Sequence, residues 1–340
     1  MVGSGYVAVA AFLGALELAA AAWAIVVGLR SVFARRGAPP DVAQDRFEEQ
    51  TYLAALLGYL VLGVSLISWL VFYLMLDSFL PQWPGAMCIY GVTQIGLGSN
   101  GIYGWLPKLV SLVQVLKPAL VFTAGAALVL YQFYRRLGTR TLLPRVAWVL
   151  SVVAVMASLD ATTELAYLAI PKRENVPTSG CCSASAIGHE RIQPPSVQTQ
   201  RQLELRYYGC HLVIAALLLH RVTATNLPRL SLELARLAMA AVTLAVSMEF
   251  LIEVASPRLM HLPYHRCLYD LVPRVPESGA VIILLLWGTF CVGWSSVVGW
   301  LGRAPESETV AAEEARRWRA YALVGYAGSV AMLSFDLWLA

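Results

Sequence analysis

The feature that most constrains this chain is a series of long, nearly uncharged apolar blocks separated by short, arginine-bearing loops. Eight blocks can be marked: 6–29, 52–77, 108–133, 146–170, 207–226, 233–256, 279–302 and 320–339. Each is about as long as the ~20 residues an α-helix needs to cross ~30 Å of hydrocarbon. The blocks are apolar all round instead of along one stripe, so they are not amphipathic surface helices. A helix satisfies its backbone groups internally, which makes it the one open-chain structure that can cross lipid. The expected fold is therefore all-α, a polytopic membrane helix bundle of about eight spans, with residues 1–340 as a single transmembrane domain. Composition agrees. Only 14% of the 340 residues are charged and 58% are hydrophobic, against roughly 25% charged in a soluble domain.

The loops sort by charge. Arg30, Arg35, Arg36 and Arg46 follow the first block, and Arg135, Arg136, Arg140 and Arg145 follow the third. Arg221, Arg229 and Arg236 follow the fifth, and Arg303, Arg316, Arg317 and Arg319 follow the seventh. The opposite loops are poorer in basic residues. The bias assigns the first set to the cytoplasm and both termini to the outside. External loops are then expected at 78–107, 171–206 and 257–278. The formal net charge of +4 is spent on topology, and no nucleic-acid signature is present. Val7 to Val27 has no basic segment before it, contains Glu17 and is followed by arginines, which reads as a retained first span. Residues 305–319 read as a short cytoplasmic helix, acidic early and basic late. The Ala- and Arg-rich composition points to a bacterial inner membrane, with the cysteine-bearing loops facing the periplasm.

On this topology five of six cysteines face outward. Cys88, Cys181, Cys182 and Cys267 lie in external loops, Cys210 at the outer end of the fifth block, and Cys291 inside a span. Four histidines follow them: His189, His211, His261 and His265. In an oxidising compartment Cys88, Cys210, Cys267 and one of the adjacent pair are candidates for two disulfides, with pairing undetermined. One thiol is then left over. The adjacent pair Cys181-Cys182 is strained as a disulfide and suited as a dithiol to soft metal ions. The segment His261-Leu-Pro-Tyr-His265-Arg-Cys267 adds two imidazoles and a thiol, with Asp270 close behind. The expected metal ligands are Cys181, Cys182, Cys267, His261 and His265, for copper or zinc. Mercuric-ion transporters carry a vicinal pair inside a span, and quinone-linked disulfide-generating enzymes use Cys-x-x-Cys. Neither pattern is present, and the chain is assigned to neither family.

The second constellation is intramembrane charge. Glu17 lies near the middle of the first span. Asp160 and Glu164 lie four residues apart in the fourth, and Glu249 and Glu253 four apart in the sixth. That spacing puts each pair on one helix face. Asp336 is in the last span, and Lys117 is in the third, just before Pro118. A charge at the bilayer centre costs at least roughly 2.5–3.5 kcal/mol, so such groups face the bundle interior. A purely structural network would pair Lys117 with one carboxylate. The remaining acids then require protons or a hydrated cavity.

Other signals carry less. Gly96-Leu-Gly98-Ser-Asn-Gly101 matches a dinucleotide fingerprint but lacks the strand–helix context that motif needs. The tryptophans fit an interfacial belt. His211 and His220 offer haem no second helix. Three functional classes stand: soft-metal binding or transport, with Glu164, Glu249 and Glu253 beneath the Cys/His rim; a membrane thiol–disulfide oxidoreductase linked to quinone; and a non-catalytic subunit whose partners are other membrane subunits or a periplasmic protein. Whether the chain is an enzyme is left open.

Overall fold

The computed structural model describes residues 5–34, 40–83, 86, 88–138, 142–172, 196–222, 230–263, 265–302 and 308–340. Every regular element among them is helical. The chain divides into two compact units, Met1–Ser179 and Gly180–Ala340.

The first unit holds α1 (Gly5–Ala34), α2 (Pro40–Ser78), the short α3 (Ile89–Thr93), α4 (Leu106–Leu137) and α5 (Leu143–Ala169). Helix α5 packs against α1, α2 and α4, and α2 packs against α1 and α4. Large apolar side chains such as Phe12, Trp23, Leu70, Val115 and Trp148 remain exposed on the outer faces of these helices, which suits helices solvated by lipid. The second unit holds α6 (Val197–Val222), α7 (Leu230–Phe250), α8 (Ser256–Leu259), α9 (Leu268–Arg274), α10 (Pro276–Leu301) and α11 (Glu308–Leu339). Here α6 packs on α7 and α11, and α10 packs on α7 and α11. The α10–α11 seam is tight because Gly288 and Gly325 face each other's backbone. Small residues let membrane helices approach in this way.

Among the described residues, seven segments are long and apolar enough to cross a membrane: Gly5–Arg30, Gln44–Gln82, Gly101–Leu137, Leu143–Ala169, Leu230–Leu259, Pro276–Leu301 and Glu308–Leu339. The chain is a multi-pass, all-α membrane protein. Over the expected span 207–226 the described residues end at 222, and no segment among them meets that measure. Its helix begins at Val197, ten residues earlier than expected, and its first turns carry Gln198, Arg201, Gln202, Glu204 and Arg206. The apolar part that follows is short within the described residues.

Three further expectations change. From Glu308 on, the predicted connector helix 305–319 and the predicted last span form one helix, α11, and Glu314 and Arg319 in its early turns are buried instead of solvated. Arg236 is not a loop residue; it is fully buried within α7. The loop 78–107 is built of short helical turns that bury Trp83, Cys88, Ile89, Val92 and Ile95. Its glycines have a conformational role. Gly96, Gly98 and Gly101 all have positive φ, and a Cβ on Gly96 would run into the carbonyl oxygen of Tyr103. The fingerprint-like spacing is therefore the requirement of a tight turn.

Candidate functional site

The first unit encloses a cluster of charge. Asp160 and Glu164 stand one turn apart on the buried stripe of α5, which continues to Tyr167. Helix α4 supplies Lys117. Pro118 follows it and offers no N–H to the carbonyl one turn back, yet the helix runs on to Leu137. Helix α2 supplies Ser65 and Ser68, and α1 supplies Glu17. All six side chains have 0% exposure.

The Lys117 Nζ donates to Glu164 Oε2 at 2.7 Å, Ser68 Oγ at 2.8 Å and Asp160 Oδ2 at 3.0 Å. An ammonium has three N–H bonds, so Lys117 is saturated. Ser68 in turn donates to Glu164 Oε2 at 2.9 Å. The second oxygens, Asp160 Oδ1 and Glu164 Oε1, have no hydrogen-bond partner among the described residues, and neither does either oxygen of Glu17. Glu17 lies within electrostatic range of Asp160, Lys117 and Glu164. Three carboxylates thus face one ammonium, a formal charge of minus two if all are ionised.

The centre sits at a defined depth. Glu164 and Asp160 are five and nine residues before Ala169, about 8 and 14 Å along the helix axis. Glu17 is twelve residues from Gly5, about 18 Å in. Tyr167 closes the site toward the end of α5, its ring edge-on to Phe72 at 5.7 Å. Beyond it Lys172 caps the helix. Its Nζ donates to the Tyr167 and Ile170 carbonyls at 2.8 and 3.2 Å and lies 4.0 Å from the Tyr167 ring centroid. Burial lowers the Lys172 ammonium to about 8.

The other residues singled out from the sequence lie in different settings. Cys181 and Cys182 fall outside the described residues, as does His189. Cys267 and Cys291 are buried in the second unit, and Cys210 is half-buried there. Cys88 is fully buried in the first unit, immediately before α3. In the second unit Glu249 is exposed, and Glu253 pairs with Arg266 at 2.9 Å. The two acids share spacing with Asp160 and Glu164 but not their setting: Glu249 is in the last turn of α7 and Glu253 lies inside a π-helical turn, Leu251–Ala255. His261 is exposed, at φ 55°. The second unit also contains a buried ion pair that sequence reasoning missed. Arg236 Nη1 donates to Glu233 Oε1 at 2.9 Å and Arg236 Nε to the Leu217 carbonyl at 3.2 Å. Ser296 Oγ donates to Glu233 Oε2 at 2.9 Å. The i, i+3 spacing of Glu233 and Arg236 is the signal that was available.

Fold and site together define a class: a multi-pass membrane protein with a buried lysine–carboxylate centre in its first helical unit. Comparison with protein-family models, with curated proteins and with solved structures returns no match for this chain.

Proposed function

We propose that this protein carries protons across or into the membrane through the Glu17, Lys117, Asp160 and Glu164 centre. The observation that carries the reading is the surplus of acid: three fully buried carboxylates around one saturated ammonium, with four carboxylate oxygens unpartnered among the described residues. A network that only joined helices would need one carboxylate for one lysine. Excess charge in a low-dielectric interior is relieved by binding a proton or small cation, and intramembrane acids in series are the usual material of proton relays. The arrangement is graded: Glu164 nearest the end of α5, then Asp160, then Glu17 near mid-span. In the proposed topology the α5 end faces the periplasm of a bacterial inner membrane, because the arginine-rich loops belong to the cytoplasm. Protons then pass between the periplasmic side and Glu17, with Lys117 as the fixed countercharge that keeps Asp160 and Glu164 together.

The test is proton flux in vesicles. Purified protein is reconstituted with a pH-sensitive dye inside, and a potassium diffusion potential drives protons inward. Wild-type vesicles are expected to acidify at least about a hundredfold faster than vesicles with Glu17→Gln or Glu164→Gln, the low end of the effect that removing one positioned proton-transfer group produces. Equal rates for wild type, variants and empty vesicles would refute the reading. Flux that follows sodium in place of protons would identify a metal cation as the occupant and overturn the proton assignment.

A further inference from the structure

In the first unit, the arginine-bearing ends of α1, α2 and α5 enclose a cavity of about 240 Å3. We propose that this cavity binds the hydroxylated aromatic ring of an uncharged, membrane-dissolved molecule, a phenol in the chemical sense. Volume sets the scale. A cavity of about 150 Å3 admits a benzene ring, so this one holds a ring with one or two substituents. Phe47 and Trp148 give it aromatic walls, against which a ring packs edge-to-face or offset. No charged side chain is found among the described residues that line it. An ionised ligand would lose its hydration there and meet no countercharge.

The polar groups decide the chemistry of the ligand. Gln50 lines the cavity, and its Oε1 is buried with no hydrogen-bond partner among the described residues. A buried acceptor of this kind is costly until a donor reaches it. The two hydroxyls in the lining have already committed their protons. Thr51 Oγ1 donates to the Phe47 carbonyl at 2.8 Å, and Ser151 Oγ donates to the Ala147 carbonyl at 2.9 Å. What they offer the cavity is lone pairs. The lining therefore asks for a donor, and a phenolic O–H supplies one. A ring whose oxygens are carbonyls brings only further acceptors and is disfavoured. Gly28 keeps the space open: the atom a Cβ there would meet is Ser151 Oγ at 3.5 Å, an ordinary contact. Trp148 is 69% exposed on the outer face of α5, so the ligand enters from the bilayer. Ser151 stands nine residues before Asp160 on α5, about 14 Å along the helix axis. The cavity is thus separate from the charged centre and independent of the proton-carrying reading.

The experiment uses the full chain in detergent and a 4-alkylphenol that carries a diazirine on its alkyl chain. After photolysis, mass spectrometry locates the label, which is expected around Val27, Phe47 or Trp148. Competition then compares 4-ethylphenol with its methyl ether, which has the same ring but no donor, each corrected for its partition into protein-free micelles. The phenol should displace the probe at roughly 5- to 100-fold lower concentration, the penalty for one buried acceptor left unsatisfied expressed as a ratio of affinities. Gln50→Met removes the acceptor at similar size and should largely erase that preference. Gly28→Leu fills the cavity and should remove the label from all three helices while thermal unfolding stays cooperative. Label spread over the lipid-facing helices but absent from these three segments would mean that acyl chains alone fill the space, and would overturn the assignment. Equal competition by phenol and ether in the wild-type protein would overturn it without any variant. So would a phenol preference that Gln50→Met leaves intact.

Discussion

Lys117→Ala is expected to lower the stability of the protein by about 3–5 kcal/mol, the range measured when one partner of a buried ion pair is removed. The ammonium donates to three acceptors, none further than 3.0 Å, and every group involved is fully buried. Without it Asp160 and Glu164 face each other and Glu17 with no countercharge. The prediction has a built-in control. Lys117→Ala combined with Asp160→Asn and Glu164→Gln removes the lysine's two hydrogen-bonded carboxylates together with it, leaving Glu17 as the one acid of the centre, and it should recover most of the lost stability in thermal unfolding of the detergent-solubilised protein. The same triple variant should still carry no protons. Stability and flux thus separate: the triple variant is folded yet silent beside a wild type that carries protons, whereas a purely structural network carries none in either. A Lys117→Ala protein as stable as wild type would mean that the carboxylates are not held by the lysine at all.

The second large effect is expected at Gly325. A Cβ there would lie 2.8 Å from the Leu284 carbonyl oxygen and 2.9 Å from the Gly288 nitrogen and Cα. These are backbone atoms of α10, which cannot turn aside as a side-chain tip can. Gly325→Leu is expected to force α10 and α11 apart at a cost of roughly 1–3 kcal/mol or more, the range for overpacking a close-fitted interior. Gly63→Ala provides the opposite sign. It sits mid-helix in α2 with nothing within 4 Å of the added carbon, so alanine's better helix propensity should stabilise by up to about 1 kcal/mol. Midpoints from thermal unfolding of the two variants decide the matter. If Gly325→Leu unfolds at the wild-type temperature, the tight seam is wrong.

Much of this was legible in the sequence because lipid imposes a one-dimensional code. A block of about 20 apolar residues needs no tertiary information to be read as a span, and among the described residues seven helices are long and apolar enough to cross. The charge centre was legible for the same reason: a lysine, an aspartate and two glutamates inside apolar blocks have few other places to go. Its geometry was not. Ser68 looks like any serine in a span, and nothing in the one-letter pattern says that it accepts from Lys117 and donates to Glu164. Glu249 and Glu253 repeat the i, i+4 spacing of Asp160 and Glu164, but nothing in that spacing shows the π-helical turn that holds Glu253 or its pairing with Arg266. Arg236 was misread because an arginine near the end of an apolar block reads as a topology signal, whereas Glu233 and Ser296 draw it inward. The segment at 197–206 escaped because its polar residues suggest a loop, though they extend α6 instead.

The central claim is that the buried acids exchange protons, and infrared difference spectroscopy of the purified protein reads this most directly. Spectra recorded between about pH 3 and about pH 9, bracketing the ordinary range from carboxylate to histidine titration and beyond, should show a protonated-carboxyl carbonyl band that changes with pH. Glu17→Gln, Asp160→Asn or Glu164→Gln should remove or shift that band. A wild-type protein with no such band across this range, or a band left unchanged by all three substitutions, would contradict the account.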